Sequence, residues 1–202
     1  SVHAYGLLGA IGFLTVAFMT LRRARTIGVE TDALADLIFW TSIMALVGAR
    51  LVYVLQTPEL MGSWKDVVNL RAGGLVFYGS LLVGIPFGSW YMRRRKMPFL
   101  ATWDVFATAM PIGHAITRIG CLMAGCCYGL PSDAPWAVTY TNLDGVAPLN
   151  IALHPVQLYE AGWLLVVGLI TNIAWSRKKF DGQIMALYLL FYAAGRWVIE
   201  LY

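Results

Sequence analysis

The clearest shortage in this 202-residue chain is a shortage of charge. Charged residues make up 13% of the sequence, against about a quarter in soluble domains, while hydrophobic residues make up 59%. A soluble protein of this length could not cover its surface with so few polar groups, and the same composition excludes a disordered chain. The lipid bilayer is therefore the expected solvent for most of the chain.

Long apolar stretches divide the sequence. Six of them approach or reach the roughly 20 residues that a spanning helix needs, at about 4–21, 33–55, 73–92, 101–120, 155–175 and 183–202. We therefore predict an all-α polytopic integral membrane protein with about six transmembrane helices, forming a single transmembrane domain over residues 1–202. The connection 121–154 is too long for a turn and too apolar for a disordered linker, which predicts a structured outer loop.

Basic residues are concentrated in three short clusters, Arg22–Arg25, Arg93–Lys96 and Arg177–Lys179. Because cytoplasmic loops carry an excess of Lys and Arg, the first, third and fifth connections are predicted to be cytoplasmic. The N-terminus, the loop 121–154 and the C-terminus are then outside. Charge clustered between apolar spans indicates membrane topology, and no nucleic-acid partner is predicted.

Charged residues within the apolar spans are the first candidates for function, since charge is costly in a membrane. Arg118 ends the fourth span, while Arg196 and Glu200 lie four residues apart on one face of the sixth. Arginine binds phosphate through two parallel hydrogen bonds, so Arg118 and Arg196 facing one outward cavity would suit a phospholipid. The alternative is that these residues, with Arg50 and Asp104, form salt bridges that fix helices together.

All three cysteines, Cys121, Cys126 and Cys127, lie within seven residues just beyond that fourth-span arginine. They could be small buried hydrophobic residues, or Cys121 could form a disulfide with Cys126 or Cys127 on the oxidising side of the membrane. A nearby guanidinium could instead activate one thiol as a nucleophile or redox group. Metal binding with His114 or His154 is the weakest alternative, because C-x4-C-C is not a standard zinc pattern, and no metal site is predicted.

The segment His154-Pro-Val-Gln157-Leu-Tyr159-Glu160 opens the fifth span. A proline at a helix start is ordinary helix chemistry. His154 could be an interfacial residue or a proton acceptor. Tyr5 and Tyr78 could likewise be aromatic residues of the membrane interface or parts of a site.

These motifs together resemble the prolipoprotein diacylglyceryl transferase family. The family signature reads approximately G-R-x-G-N-F-x-N-G-E-x-x-G, and residues 117–129 here read T-R-I-G-C-L-M-A-G-C-C-Y-G. The His-Pro-x-Gln-Leu-Tyr-Glu segment is a close and specific match. Weaker matches are Ala-Tyr-Gly near the start, Gly48–Leu55 and Gly195–Glu200, all in the family's order. The resemblance runs from about Tyr5 to Glu200.

The resemblance implies an enzyme that moves the diacylglyceryl group of phosphatidylglycerol onto the lipobox cysteine of a lipoprotein precursor, in the bacterial cytoplasmic membrane and without a cofactor. A thioether forms and glycerol phosphate leaves. Its implied partners are phosphatidylglycerol, the precursor or another thiol acceptor, and membrane lipids. By motif, Arg118 and Arg196 would be catalytic, holding the lipid phosphate. Substrate-binding residues would be Tyr5, Cys121, His154, Gln157, Tyr159, Glu160 and Glu200.

The departures from the family pattern add two further catalytic candidates. Cys126 stands at the family's glutamate and Tyr78 at its usual histidine, while Cys121 and Ala124 replace its two asparagines. We predict a reactive Cys126 whose pKa falls beside Arg118. A related lipid transferase or thiol-redox enzyme that uses Cys126 with another acceptor is the alternative, and a non-enzymatic lipid-binding protein is less favoured. No seventh span follows Glu200, although the family usually has one.

Overall fold

A computed structural model describes residues 2–60, 74–142 and 145–202 and confirms the predicted all-α class. The described residues form six α-helices: α1 (Val2–Arg23), α2 (Thr31–Gln56), α3 (Phe77–Arg94), α4 (Phe99–Ala124), α5 (Val156–Trp175) and α6 (Gln183–Ile199). Two 3-10 turns, Ala24–Ile27 and Pro58–Leu60, follow α1 and α2. The strands β1 (Val138–Thr139) and β2 (Ala152–Leu153) pair antiparallel, so the long loop before α5 is structured, as predicted.

Among the described residues, four stretches are long and apolar enough to cross a membrane: Ala4–Ile27, Thr31–Gln56, Phe99–Ala124 and Val156–Trp175. The predicted third and sixth spans correspond to α3 and α6, which have 18 and 17 residues. At 1.5 Å per residue α6 is about 26 Å long, slightly less than a hydrocarbon core of about 30 Å. The predicted start of the third span at residue 73 lies outside the described residues.

The chain divides into two compact units. One contains residues 24–99 and is called the α2–α3 unit; the other contains residues 1–23 and 100–202 and is called the site unit. The single domain expected from the sequence stays a prediction.

In the α2–α3 unit the two helices cross at paired glycines. A Cβ atom on Gly48 would lie 2.4 Å from the carbonyl oxygen of Gly79, so a larger residue at this crossing would force the helices apart. Beside this crossing Arg50 donates a hydrogen bond to the Gly74 carbonyl at 2.9 Å, and its guanidinium stacks 5.0 Å from the Tyr53 ring centre. These contacts favour the structural alternative for Arg50.

In the site unit α1 and α4 cross antiparallel. A Cβ atom on Gly12 would lie 2.6 Å from the Gly113 carbonyl oxygen, and one on Gly120 would lie 3.4 Å from the Tyr5 Cα atom. Residue numbers fall along α1 from Gly12 to Tyr5 as they rise along α4 from Gly113 to Gly120, so the two helices are antiparallel. This packing brings the start of α1 beside the end of α4, where Arg118 and the cysteines lie.

Asp104 on α4 holds the first turn of α6. Its buried carboxylate accepts hydrogen bonds from the backbone N–H groups of Gly182 at 2.8 Å and Met185 at 3.0 Å, and it lies 3.4 Å from Lys178 Nζ. A carboxylate at this end of a helix satisfies free N–H groups and stabilises the helix dipole. Asp104 is therefore a capping residue for α6, and its ion pair with Lys178 matches the salt-bridge alternative.

Candidate functional site

The centre of the site unit is one carboxylate held between two arginines. Glu160, in the second turn of α5, is 1% exposed. Its Oε1 atom lies 2.9 Å from Arg118 Nη2, and its Oε2 atom lies 3.6 Å from Arg196 Nη1. A buried charge is stable only when it is paired. Through this carboxylate the structure brings together Arg118 of α4 and Arg196 of α6, which the sequence analysis proposed to face one cavity.

The two arginines differ in depth. The side chain of Arg118 is 18% exposed and that of Arg196 is 40% exposed. Arg196 also forms an ion pair with Glu200, four residues later on the same helix, which confirms their predicted shared face. Glu200 is largely exposed, so the site leads from a half-buried Arg118 to a more exposed Arg196.

Gly195 allows α6 to pack closely enough on α5 for Arg196 to reach Glu160. A Cβ atom there would lie 1.9 Å from Trp163 Nε1, so the indole of α5 packs directly on the α6 backbone. The same indole donates a hydrogen bond to the Phe191 carbonyl at 2.8 Å. These contacts fix α6 against α5, and they fix the direction in which Arg196 reaches Glu160.

Two further residues belong to the site: His114, which the sequence analysis named only as a weak metal-ligand alternative, and Tyr192, which it did not name. His114 Nε2 lies 3.7 Å from Glu160 Oε1, and the Tyr192 hydroxyl donates to the same oxygen at 3.3 Å. The two rings also contact each other, with centres 5.6 Å apart. A signal was present, because His114 lies four residues before Arg118 and Tyr192 lies four before Arg196, which puts each pair on one helix face.

Several buried polar atoms near the two arginines lack a hydrogen-bond partner among the described residues. They are Arg118 Nε, Glu160 Oε2 and Gln157 Oε1. Buried polar atoms without partners are rare in folded proteins and each calls for an explanation. A polar ligand that enters between Arg118 and Arg196 would supply the missing partner for Arg118.

The cysteine segment begins with a glycine-terminated helix end. Gly125 has φ +67°, Cys126 N–H donates to the Cys121 carbonyl at 3.1 Å, and Gly125 N–H donates to the Leu122 carbonyl at 3.2 Å. This is the Schellman pattern, which folds the chain back over the last helical turn. Cys127 is also left-handed, with φ +58°, at a cost of roughly 1–2 kcal/mol for a residue with a Cβ atom.

This turn gathers the three thiols, which are all free in the structure. Their sulfur atoms lie within 4.8 Å of one another. Among the described residues this is the group of His, Cys, Asp or Glu whose ligand atoms are placed to hold a metal ion.

The predicted lowering of the Cys126 pKa is wrong. Burial raises the pKa of the Cys126 thiol, and its neighbour Cys127 raises it further. The Cys126 sulfur points to the Cys121 carbonyl oxygen at 3.7 Å, while Arg118 interacts electrostatically with Cys121 and Cys127. Desolvation therefore dominates at Cys126, and its catalytic role stays a prediction without this support.

Gln157 fastens the cysteine turn to α5. Its side chain is fully buried, and Nε2 donates to the Cys126 carbonyl at 2.7 Å and to the Tyr140 hydroxyl at 3.2 Å. Gln157 lies three residues before Glu160, so the same helix face positions both the turn and the central carboxylate.

His154 and Tyr159 belong to an aromatic group at the base of the loop. The Tyr159 hydroxyl accepts a hydrogen bond from Trp136 Nε1 at 2.7 Å and lies 3.0 Å from His154 Nδ1. The His154 ring stands edge-on to Tyr202, with centres 5.3 Å apart. These contacts give both residues a part in holding the loop against the start of α5.

The two predicted tyrosines lie in different units. Tyr5 of α1 is beside Gly120 and interacts electrostatically with all three cysteines, which puts it in the site unit. Tyr78 is the second residue of α3 in the α2–α3 unit and is 73% exposed. The contacts described above bring together site-unit residues, and Tyr78 is not one of them.

Comparison with known proteins shows the family to which the chain is similar. The prolipoprotein diacylglyceryl transferase model matches residues 1–202. Three similar proteins bear the name phosphatidylglycerol–prolipoprotein diacylglyceryl transferase. The Finegoldia magna protein is 30% identical over 198 residues, covering 97% of this chain and 77% of that protein. The Thermotoga maritima protein is 33% identical over 201 residues, covering 97% and 69%. The Bordetella bronchiseptica protein is 31% identical over 207 residues, covering 99% and 77%.

Proposed function

The chain belongs to the prolipoprotein diacylglyceryl transferase family, and from this premise we propose that it transfers the diacylglyceryl group of phosphatidylglycerol to the cysteine thiol of a lipoprotein precursor. It is a transferase of the bacterial inner membrane with several apolar helices. The observation that carries the proposal is the convergence of Arg118 and Arg196 on Glu160.

The reaction develops charge where these arginines lie. The acceptor sulfur forms a bond to the lipid glycerol carbon that carries the phosphate, and the carbon–oxygen bond to that phosphate breaks. The thiol loses a proton, and glycerol phosphate leaves. The phosphate changes from a diester with one negative charge to a monoester with up to about two. Donors directed at charge that grows in the transition state lower the barrier.

Both arginines can bind phosphate while they remain paired with Glu160. A guanidinium has five N–H donors, and each contact with Glu160 involves one guanidinium nitrogen. The partnerless Nε atom of Arg118 is a further free donor. Glu160 thus holds the two guanidiniums in position, and their remaining donors bind the phosphate oxygens.

His114 is our candidate for the proton acceptor. The family's usual histidine is replaced by Tyr78, which left the incoming thiol without an obvious base. His114 lies one helical turn before Arg118, and its Nε2 atom is 3.7 Å from Glu160. The carboxylate would stabilise the imidazolium that forms, as it does in other acid–base sites. Tyr78 stays a predicted catalytic residue of the α2–α3 unit.

The site is proposed to open to the outer side, with the N-terminus outside. In the site unit Arg23 donates to Asn172 at 2.7 Å and stacks on Trp175, and Lys178 stacks on the same ring. Two of the basic clusters therefore share one end of this unit, which supports a cytoplasmic assignment. Because α1 and α4 are antiparallel, Arg118 lies towards the opposite end.

Cysteine labelling from outside tests this orientation, in a variant with serine at the three native cysteines. Cysteines introduced at Ser63 and Asp144, which both lie outside the described residues, should react with an impermeant maleimide. Cysteines introduced at Arg94 and Lys178 should be protected until the membrane is opened. Labelling at Arg94 in intact cells would overturn the orientation.

Mass spectrometry tests the activity itself. Purified protein mixed with phosphatidylglycerol and a lipobox peptide should give a peptide heavier by one diacylglyceryl group, together with free glycerol phosphate. Arg118→Ala should abolish both products, whereas Arg25→Ala, in a basic connection, should retain them. Phospholipid binding without any thioether product would instead identify a lipid-binding protein.

A further inference from the structure

The three cysteines of the site unit form an organised cluster that the transfer steps proposed above do not use. Cys121 is buried, Cys126 is half-buried and Cys127 is exposed, and their sulfurs lie within 4.8 Å of one another. Three atoms this close share a point at most about 2.8 Å from each, and a zinc–sulfur bond is about 2.3 Å long. Shifts of about half an ångström would bring all three sulfurs to bonding distance of one ion.

The backbone is shaped to make the third thiol join the other two. The Schellman turn at Gly125 carries Cys126 over Cys121, and this alone would gather two sulfurs. The left-handed Cys127 then brings the third sulfur into the group, in a conformation that residues with a Cβ atom rarely adopt. Strained backbone of this kind clusters at ligand sites and persists where neighbours hold it. Here Gln157 holds it, through its hydrogen bond to the Cys126 carbonyl.

The charge around the cluster suits a cation bound by thiolates. Three thiolates repel one another, and a metal cation among them removes that repulsion. Three thiolates with Cu⁺ or Zn²⁺ still carry net negative charge. Arg118 is within electrostatic range of Cys121 and Cys127, so it compensates this remainder.

We propose that Cys121, Cys126 and Cys127 bind one soft d10 metal ion through three thiolates. Thiolate ligands select Cu⁺ and Zn²⁺ over harder cations. No histidine or carboxylate of the described residues joins the group, so the protein supplies three ligands. Cu⁺ would be bound by the three sulfurs alone, whereas Zn²⁺ would complete a tetrahedron with water at the exposed Cys127 side.

The binding step exchanges protons for metal. Three S–H groups lose their protons, three sulfur–metal bonds form, and no electron is transferred. The C-x4-C-C spacing argued against a metal in the sequence because it is not a standard zinc pattern. The left-handed backbone at Gly125 and Cys127 brings the three sulfur atoms together, and the spacing alone does not reveal it. The metal site takes no part in the proposed transfer steps, although Arg118 lies within electrostatic range of both.

Metal titration of the tag-free, full-length chain tests the proposal. Protein reduced under anaerobic conditions would be titrated with Cu⁺ against bicinchoninate, and separately with Zn²⁺ against a chromophoric chelator. We expect one ion per chain, and the two dissociation constants, each calculated from its competitor's known affinity, identify the metal that binds more tightly. Cys127→Ser should weaken binding by at least about 100-fold, because losing only an outer-shell partner costs 10–100-fold.

Tyr128→Phe is the matched control, since it changes the neighbouring exposed residue and leaves all three thiols in place. It should bind metal like the wild type, and circular dichroism should show equal helicity in both variants. The proposal is overturned if neither ion binds at one per chain, or if Cys127→Ser binds as tightly as the wild type. A disulfide between two of these cysteines in protein isolated without oxygen would also overturn it.

Discussion

The Glu160 carboxylate lies 2.9 Å from the Arg118 guanidinium, and 99% of its side chain is shielded from solvent. The pair joins α5 to α4 across the interior of the site unit. Because Arg196 of α6 contacts the other oxygen of the same carboxylate, one acidic residue connects three helices. The two arginines depend on this residue for the positions from which they bind phosphate, although Glu160 does not itself bind phosphate.

Removing the charge of Glu160 should destabilise the protein. Glu160→Gln keeps the shape and leaves Arg118 without a buried counterion, and breaking such a pair costs about 3–5 kcal/mol. Thermal unfolding in nanodiscs should therefore show a clear loss of stability. Glu200→Gln is the matched control, because Glu200 is 65% exposed and exposed pairs contribute about 0–1 kcal/mol. Equal losses in the two variants would contradict the structural role of Glu160.

Replacing either arginine by lysine should slow the transfer. Lysine keeps the charge but cannot form a bidentate contact with phosphate. Losing one donor that stabilises transition-state charge costs about 10²–10³ in rate. We expect kcat/KM for thioether formation to fall in that range for Arg118→Lys and for Arg196→Lys. Wild-type rates in both would make the arginines structural.

Replacing His114 should separate chemistry from lipid binding. His114→Gln keeps a polar side chain but cannot accept the acceptor's proton. Loss of a general base costs about 10²–10⁴ in rate, so kcat should fall while the affinity for phosphatidylglycerol vesicles is retained. Arg118→Lys should instead lower both kcat and the affinity for phosphatidylglycerol vesicles. If His114→Gln turns over normally, another group takes the proton, and Tyr78→Phe is the next variant to measure.

A methyl group at Gly195 should disturb the packing of α6 on α5 and so displace Arg196. In Gly195→Ala the new carbon would lie 1.9 Å from the Trp163 indole, which must move and lose its bond to the Phe191 carbonyl. Overpacking of this kind costs about 1–3 kcal/mol. Gly162→Ala is the control: beyond the neighbouring backbone of its own helix no atom lies within 4 Å of the new carbon, and alanine favours the helix by up to about 1 kcal/mol. Thermal unfolding should rank the two variants on opposite sides of the wild type.

Maleimide should label Cys127 before Cys126 in reduced, metal-free protein. Cys127 is exposed, whereas Cys126 is half-buried with a pKa raised by burial, so less of it is thiolate at neutral pH. Peptide mass spectrometry after short labelling times measures the order. Faster labelling of Cys126 would restore the reactive thiol that the sequence predicted.

The helices and the two arginines were predictable because each depends on local sequence. Apolar runs of spanning length predict helices, and Arg118 and Arg196 are conspicuous as charges within them. The contacts of His114 and Tyr192 with Glu160 were not predictable, because they depend on how α4, α5 and α6 are rotated against one another. The pKa of Cys126 was predicted in the wrong direction, since sequence separation from Arg118 says nothing about desolvation.

The capping of α6 has a consequence for how the protein is made. The first turn of α6 is bound by Asp104 of α4, and its last turn is bound by Glu160 of α5. Chains emerge from the ribosome in sequence order, so Asp104 and Glu160 are synthesised before α6. α6 therefore packs against helices that are synthesised before it, and Arg118 and Arg196 meet at Glu160 only after α6 has been made. A chain arrested before Arg196 would carry Glu160 and Arg118 in the membrane but would lack the second guanidinium that the proposed phosphate site requires.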